Sequence, residues 1–265
     1  MKRFRAPVTI LLLAAASALL LMSGCKPSQP RLTVAAAASL KDAMTEIQAL
    51  YCEANPDLAL SVTYGGSGAL QQQIEQGAAV DVFIAANQAS IQALADKELV
   101  DPATVQTLLG NRLVLIAPSG ATPPVTGFAD AAADSVKRLA VGEPRSVPAG
   151  QYAEQVFAHL GVWDAVRTKI AYGKDVREVL TWVESGNADL GVVYATDARR
   201  SDRVRVLATA PEESHSPIRY PAAVIRASRD PDAADSFLSF LKSDPARAVF
   251  LKYGFSVYDS EGVSL

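Results

Sequence analysis

Hydrophobic and polar positions follow two different periods along most of the chain. Short runs of β-branched and apolar residues, typical of buried strands, are followed by stretches in which apolar residues recur every three to four positions, as on one face of a helix. The clearest such face follows the run at 32–36, and it consists of Leu40, Ala43, Met44, Ile47, Leu50 and Tyr51. This alternation predicts the α/β class, with mostly parallel sheets flanked by helices.

The alternation occurs twice, which predicts two lobes. Apolar runs suited to strands lie at 32–36, 59–64, 80–85, 139–141, 169–172 and 190–193. Two further apolar runs, 113–117 and 221–225, are predicted to pair with each other and to carry the chain across and back. The result would be a clamshell with two hinge crossings. Its predicted division is lobe 1 at 31–116 plus 217–265 and lobe 2 at 117–216.

The first residues have the three-part form of a secretory signal. A basic start is followed by an apolar stretch at 8–22, which is shorter than the roughly 20 residues that a membrane-spanning helix needs. Small residues then precede Cys25. We therefore expect 1–24 to be cleaved and the protein to be exported, to the periplasmic side of the membrane or to the cell surface.

The run from Met22 to Cys25 resembles a bacterial lipobox, in which the cysteine becomes the lipidated first residue. Lipidation would tether the protein to the membrane through the short segment 25–30. The alternative is an ordinary signal in which Cys25 stands by chance. Because the chain has only two cysteines, lipidation leaves Cys52 without a partner, and we expect no intrachain disulfide.

Charge and composition exclude several classes of partner. The chain carries 25 Lys and Arg against 28 Asp and Glu, and loss of the basic leader makes it more acidic, which argues against nucleic-acid binding. Two histidines and scattered acids form no cluster with metal-ligand spacing, so we expect no metal cation. An anion would have to be held by local geometry, because the overall field repels it.

Candidate binding groups lie where predicted strands end and helices begin. Helix N-termini at such junctions offer unpaired N–H groups and a partial positive charge, and ligands of open α/β sheets bind there. In lobe 1, Ser39 stands at a predicted N-cap with Asp42 placed for a capping box. Ser67 lies in the glycine-rich run 64–70, where the backbone can approach a ligand closely.

Lobe 2 offers three more candidates. Pro148 is suited to start a helix in which Ala149 presents its N–H. Asp175 is a predicted N-cap that leaves the N–H of Val176 exposed in the first turn. Tyr194 brings a phenol hydroxyl to a strand end. Each feature alone also occurs as an ordinary cap, turn or buried tyrosine.

Taken in order, these motifs resemble those of the molybdate-binding proteins of bacterial high-affinity molybdate ABC transporters. The matching segments are Ala-Ala-Ala-Ser39-Leu, Gly-Ser67-Gly-Ala-Leu, Asp81-Val-Phe-Ile-Ala, Val147-Pro-Ala149-Gly, Asp175-Val176-Arg, Gly191-Val-Val-Tyr194 and Lys252-Tyr-Gly-Phe. The resemblance spans about residues 32–258. It implies the two-lobe periplasmic-binding-protein fold of type II and a substrate-binding protein that is not an enzyme and needs no cofactor.

The resemblance also implies a ligand and the groups that bind it. In that family two serine hydroxyls, two backbone N–H groups and a tyrosine hydroxyl hold the oxyanion. The matching residues are Ser39, Ser67, Ala149, Val176 and Tyr194. The protein would be a monomer that captures molybdate or tungstate and delivers it to a membrane permease. All five groups donate hydrogen bonds, which suits a tetrahedral dianion without a proton.

Two other functions fit parts of the sequence. The same architecture could bind sulfate, thiosulfate or phosphate, although the proton of monohydrogen phosphate would find no acceptor in a cage of donors. A serine hydrolase is suggested by the run 65–69, which is close to the G-x-S-x-G elbow but ends in alanine. The only histidines are His159 and His215, and neither has an acid placed for a triad.

Overall fold

The computed structural model describes residues 31–122 and 124–258. The predicted signal 1–24, the lipidation site Cys25 and the tether 25–30 lie outside the described residues, so they stay predictions. None of the helices in the described ranges is both long enough and apolar enough to cross a membrane.

The described residues form two β-sheets with helices packed on them. The strands are β1 (Arg31–Ala37), β2 (Ala59–Gly65), β3 (Val82–Ile84), β4 (Gln106–Gly110), β5 (Leu113–Pro118), β6 (Leu139–Gly142), β7 (Ile170–Gly173), β8 (Leu190–Tyr194), β9 (Val204–Thr209), β10 (Arg219–Val224) and β11 (Ser256–Val257). The α-helices are α1 (Lys41–Ala54), α2 (Ser67–Glu75), α3 (Gln88–Asp96), α4 (Pro148–His159), α5 (Trp163–Val166), α6 (Val176–Glu184), α7 (Ala195–Arg199), α8 (Pro231–Leu241) and α9 (Asp244–Lys252).

Each sheet is the centre of one lobe. The first sheet has the order β11-β4-β10-β3-β1-β2, and with α1 to α3, α8 and α9 we call it lobe 1. The second has the order β7-β6-β8-β5-β9, and with α4 to α7 we call it lobe 2. The α/β class and the two-lobe architecture predicted from the sequence are therefore confirmed.

Parallel pairing is confined to part of each sheet. β1 is parallel to β2 and β3, and β6 is parallel to β7 and β8. The other strand pairs, which involve β4, β5, β9, β10 and β11, are antiparallel. The sheets are thus mixed rather than mostly parallel, because the strands next to the crossings run against the others.

The predicted pairing of 113–117 with 221–225 is wrong. β5 pairs with β8 and β9 in lobe 2, whereas β10 lies between β3 and β4 in lobe 1. Both runs are apolar because both strands lie inside a sheet, and hydrophobicity alone does not select the partner. The sequence reasoning missed the true neighbours β4 and β9, which carry polar residues and are partly exposed.

The described chain passes between the two sheets twice. The chain leaves the first sheet after Gly110 and enters the second at Leu113, and it returns between Thr209 and Arg219. β5 therefore lies wholly in the second sheet. The predicted limit of lobe 1 at 116 falls inside this strand, whereas the chain changes sheets before it. As domain boundaries, 31–116 plus 217–265 and 117–216 stay predictions.

Apolar helix faces fix the helices on the sheets. α1 buries Ala43, Met44, Ile47 and Tyr51, which belong to the face predicted from the sequence. Burying one such large side chain is worth about 1.5–3 kcal/mol, so the helix is held firmly against β2, α8 and α9. The loops between strands and helices consequently occupy fixed positions at the cleft.

Candidate functional site

Loops from both lobes enclose one small cavity. Its lining comprises Ala37, Ala38, Ser39, Gly65, Gly66, Ser67, Ala86, Val147, Pro148, Ala149, Asp175, Val176 and Tyr194. The space open to the centre of a water-sized sphere is about 10 Å³, which is near the least that a buried water or small ion needs. All five residues predicted to bind a ligand lie on this cavity.

Ser67 is the first residue of α2 and is fully buried. Its Oγ accepts a hydrogen bond from the backbone N–H of Ala86 at 2.9 Å. Because a hydroxyl has one proton and two lone pairs, its own proton remains available for another acceptor. The contact therefore orients a hydrogen-bond donor at the cavity wall.

Ser39 lies in a short 3-10 turn, Ala38–Leu40, that precedes α1. The prediction that Ser39 is an N-cap is wrong, because this turn moves the helix start to Lys41 and the side chain makes no cap bond. Its Oγ lies 2.9 Å from the hydroxyl of Tyr220 instead.

Tyr220 sets the direction of the Ser39 hydroxyl. The amide of Asn111 donates to the Tyr220 oxygen at 3.2 Å. Tyr220 can then donate its own proton to Ser39, which leaves the Ser39 proton for the cavity. Burial raises the pKa of the Tyr220 phenol far above its usual value, so this donor stays protonated.

Ala149 and Val176 stand at helix starts. α4 begins at Pro148, as predicted, so Ala149 lies in the first turn, where a backbone N–H has no intrahelical acceptor. Asp175 is the N-cap of α6, as predicted, and its Oδ1 accepts the N–H groups of the two residues after Val176 at 2.9 and 3.0 Å. The N–H of Val176 precedes both of them and adjoins the cavity.

Tyr194 ends β8, and its side chain is buried. Its hydroxyl has no hydrogen-bond partner within the described part of the chain. A buried hydroxyl left in this way costs roughly 1–3 kcal/mol. Burial first, and then Tyr220, Tyr152 and Asp197, raise the pKa of this phenol, so it is a neutral donor. Tyr194 thus places a donor without an acceptor on the cavity.

The cavity lining contains no lysine or arginine side chain. Its one carboxylate, Asp175, is engaged in capping α6. An anion in this space would be bound by hydroxyls, backbone N–H groups and the partial positive charge of helix N-termini. The electrostatics therefore favour a small anion without requiring a cationic ligand group.

Two glycines allow the lobes to approach each other at the cavity. A Cβ on Gly66 would lie 2.6 Å from the carbonyl oxygen of Ser146, in lobe 2, and a Cβ on Gly68 would lie 2.9 Å from Ser146 Cα. The N–H of Gly68 donates to that carbonyl at 2.9 Å. The sequence interpretation linked these glycines to close approach of a ligand, and the structure adds a contact between lobes.

Four polar residues around the cavity were not predicted. Tyr220 contacts the Ser39 hydroxyl and accepts a hydrogen bond from Asn111, while Arg177 and Asp197 lie behind the same loop. Tyr220 gave no local signal, because a tyrosine in an apolar strand is usually an ordinary core residue. Arg177 directly follows Val176 in a motif that was noted, but its partners are distant in sequence.

Neither histidine lies beside Ser67 in the cavity, as a serine hydrolase would require. His159 is exposed at the end of α4, and His215 lies with Nδ1 2.8 Å from the carbonyl oxygen of Ser216. Neither is part of the cavity lining. Nor do the described ranges contain a group of three or more His, Cys, Asp or Glu placed to hold a metal ion.

Comparison with known proteins identifies the family. The family model for bacterial extracellular solute-binding proteins matches residues 32–256. The chain belongs to this family. The solute-binding protein is 40% identical to the molybdate-binding protein ModA of Escherichia coli, over 86% of this chain and 89% of that one. It is 41% identical to the putative ABC transporter substrate-binding lipoprotein YvgL of Bacillus subtilis, over 92% and 96%.

Solved structures agree with this assignment. The substrate-binding domain of a putative molybdenum ABC transporter from Clostridium difficile is 44% identical, with a TM-score of 0.66 over 86% of this solute-binding protein and 99% of that chain. The periplasmic molybdate-binding protein of Azotobacter vinelandii has a TM-score of 0.75 at 21% identity, over 86% and 100%, and shows the shared fold. The resemblance predicted from the sequence is confirmed.

Proposed function

We propose that this solute-binding protein captures molybdate and delivers it to the membrane permease of an ABC transporter. The observation that carries the proposal is the buried Tyr194 hydroxyl, which has no partner among the described residues and faces a cavity lined by other donors. Relatives that are 39% and 40% identical over most of their length bear the name molybdate-binding protein.

The proposed ligand groups are divided between the lobes. Lobe 1 would contribute the hydroxyls of Ser39 and Ser67, and lobe 2 the N–H groups of Ala149 and Val176 with the hydroxyl of Tyr194. Five donors suit an anion that carries no proton near neutral pH. Molybdate and tungstate are such dianions, so we propose that both bind.

Other oxyanions are distinguished by their protons and by size. Monohydrogen phosphate brings a donor, and leaving that donor unmatched costs about 1–3 kcal/mol. Sulfate has no proton, so the size of the cavity has to separate it from molybdate. A cage for a larger anion binds sulfate less well, because the donors cannot all reach its oxygens at hydrogen-bonding distance.

The cavity supports binding rather than catalysis. Ser67 Oγ accepts from a backbone N–H, and neither histidine is beside it. A nucleophilic serine needs a base within hydrogen-bond reach. We therefore propose that the protein is not an enzyme. From the family resemblance we also propose that it acts as a monomer.

We also propose that the protein is exported and that Cys25 carries a lipid anchor. The family is extracellular, and the relative YvgL is named a lipoprotein. Mass spectrometry of the protein from membranes tests this directly. We expect an acylated N-terminal Cys25, which Cys25→Ala abolishes together with membrane retention; an unmodified residue after cleavage would contradict the anchor.

Thermal unfolding with separate anions tests the function. The signal-free protein is melted with sodium molybdate, tungstate, sulfate or phosphate at equal concentration and ionic strength. At a hundred times its Kd, a ligand adds about 2.7 kcal/mol, which raises Tm by roughly 5–11 °C for a chain of this size. We expect the shift with molybdate and tungstate. A shift with sulfate or phosphate alone would assign the cavity to that anion, and no shift would contradict an oxyanion site.

A further inference from the structure

Arg177 connects the two lobes directly behind the cavity. It lies in the first turn of α6, in lobe 2, and its side chain is 16% exposed. Its Nε donates to the carbonyl of Ala38 at 3.1 Å, and its Nη2 to the carbonyl of Ser39 at 3.2 Å. Both carbonyls belong to the lobe 1 loop that carries the Ser39 hydroxyl.

A carboxylate of lobe 1 completes this contact. Nη1 of Arg177 donates to Asp42 Oδ2 at 2.8 Å. Arg200, which follows α7 in lobe 2, reaches the same oxygen at 2.8 Å. Burial alone would raise the pKa of the Asp42 carboxyl, but the two guanidinium groups outweigh it and hold that pKa below its usual value.

Asp197 provides the counter-charge within lobe 2. It is fully buried, and its Oδ1 lies 3.1 Å from Nε of Arg177. Its carboxylate accepts no hydrogen bond from the guanidinium, because the Nε–H is directed at the carbonyl of Ala38. Asp197 therefore holds the arginine by charge, while all directional bonds of the guanidinium go to lobe 1.

We propose that Arg177 is a positioning residue that latches the lobes in the closed state and fixes the Ser39 loop over the bound anion. The inference rests on the proposed function, since it assumes that an anion closes the cleft. Closure forms the bonds to Ala38, Ser39 and Asp42 together, so it is linked to the orientation of a proposed ligand group. Opening the cleft breaks all three.

The chemistry requires arginine at this position. Its planar guanidinium spreads three nitrogens in fixed directions and can satisfy three acceptors at once, whereas the ammonium of lysine is a compact point charge on a flexible stem. A lysine would keep the charge beside Asp197 and Asp42 but would not hold both loop carbonyls. Lysine should therefore restore the latch only in part.

The test compares closure and affinity in matched variants. Arg177→Met, Arg177→Lys and Asp42→Asn are studied with Arg203→Met as control, because Arg203 donates to the carbonyl of Glu184 within its own lobe. Circular dichroism and thermal unfolding without anion establish that each variant folds. Calorimetric titration with molybdate, tungstate, sulfate and phosphate gives Kd, and small-angle scattering at saturation gives the radius of gyration.

We expect molybdate to compact the wild type and the Arg203→Met control alike, with affinities equal within about twofold. Arg177→Met should bind about 10-fold more weakly or worse and should stay extended at saturation, because it loses bonds to a charged group. The affinity and the compaction of Arg177→Lys and of Asp42→Asn should lie between those of the wild type and those of Arg177→Met. Asp42→Asn leaves the buried arginine in place, so it serves as the test if Arg177→Met does not fold.

The remaining outcomes distinguish failure of the proposed latch from failure of the proposed molybdate function. Wild-type affinity and compaction in both Arg177→Met and Asp42→Asn would overturn the latch and leave the molybdate function standing. Compaction of the wild type by sulfate or phosphate alone would overturn the molybdate function, and the same variants then test the latch with that anion. If no anion compacts the wild type, there is no closure for Arg177 to hold, and the latch is overturned as well.

Discussion

Lobe 1 and lobe 2 bring different chemistry to the same cavity. Lobe 1 contributes two serine hydroxyls, and each is already bonded to the protein, Ser67 to the N–H of Ala86 and Ser39 to Tyr220. Lobe 2 contributes two helix-start N–H groups, at Ala149 and Val176, and a phenol that has no partner among the described residues.

This difference suggests separate roles for the two lobes: lobe 1 holds donors that are already oriented, and lobe 2 adds donors when the cleft closes. The protein itself orients the lobe 1 hydroxyls, so in the proposed site an anion that enters the cleft would meet donors whose direction is set. In the proposed site, the lobe 2 donors would reach the same anion only when the lobes are together, and the Tyr194 hydroxyl would gain its hydrogen bond there. We infer that the anion binds first to lobe 1 and that hydrogen bonds from the lobe 2 donors then stabilise the closed state.

Gly66→Ala gives the largest expected effect, because it keeps the lobes apart. The new Cβ would lie 2.6 Å from the carbonyl oxygen of Ser146, a backbone atom that cannot yield cheaply. Loss of three lobe 2 donors should weaken molybdate binding more than about 100-fold. Calorimetry and scattering measure affinity and compaction.

Gly120→Ala is the matched control for that variant. A Cβ there would meet no other part of the described chain within 4 Å, and Gly120 is not part of the cavity lining. We expect its affinity to stay within about twofold of the wild type. Compaction of Gly66→Ala by molybdate with unchanged affinity would show that closure does not need the glycine.

Ser67→Ala should damage both the fold and the site. The substitution removes a donor to a charged ligand, which should weaken binding by roughly 10- to 150-fold. It also leaves the buried N–H of Ala86 without its acceptor, at a cost of about 1–3 kcal/mol to the free protein. Denaturant unfolding without anion and calorimetric titration measure the two effects; an unchanged Kd would remove Ser67 from the site.

Tyr194→Phe should damage the site alone. The hydroxyl has no partner among the described residues of the free protein, so its removal should leave stability unchanged or raise it by up to about 1–3 kcal/mol. Binding should still weaken by roughly 10- to 150-fold. The same two measurements apply, and a destabilised Tyr194→Phe with normal affinity would mean that this hydroxyl serves the fold.

The residues on the cavity could be predicted because their signals are local. Ser67, Ala149 and Val176 each stand where a strand gives way to a helix, and a short motif shows both the junction and the donor. The partners of these residues could not be predicted in this way. Tyr220 lies 181 positions from Ser39, and only the folded chain shows that they meet.

The error in strand pairing has the same physical origin. The runs that form β5 and β10 look alike because both strands are buried within a sheet. Their partners depend on edge and crossing strands of mixed composition, such as β9, whose residues alternate poorly. Burial is therefore readable from a single run of sequence, whereas pairing is a property of the whole sheet.

Tyr220→Phe tests the preorganisation of lobe 1 with a smaller expected effect. Without the phenol oxygen, Ser39 keeps its hydroxyl but loses the group that directs it. A single neutral hydrogen bond is worth about 0.5–1.5 kcal/mol, so molybdate affinity should fall about 2- to 13-fold. Ser39→Ala in the Tyr220→Phe background should then cost less than Ser39→Ala alone, and full additivity in calorimetry would contradict the coupling.

Asp197→Asn gives the smallest expected effect and contrasts the two carboxylates on either side of Arg177. The pKa of Asp42 is lowered, whereas burial raises that of Asp197 to about 6, against the opposing effect of Arg177. Above its unfolded pKa of 3.8 and below about 6, the folded state holds a proton that the unfolded chain has lost. The contribution of Asp197 to stability therefore falls as pH rises through this window.

The asparagine variant lacks this titration and keeps the shape of the side chain. From pH 5 to pH 7 the wild type should lose about 1 kcal/mol relative to Asp197→Asn, or roughly 2–4 °C in Tm. Thermal unfolding of both proteins at the two pH values measures the difference, in which all other titrating groups cancel. Parallel profiles would mean that Asp197 stays ionised down to pH 5, and the charge of Arg177 would then outweigh burial in lobe 2 as it does for Asp42 in lobe 1.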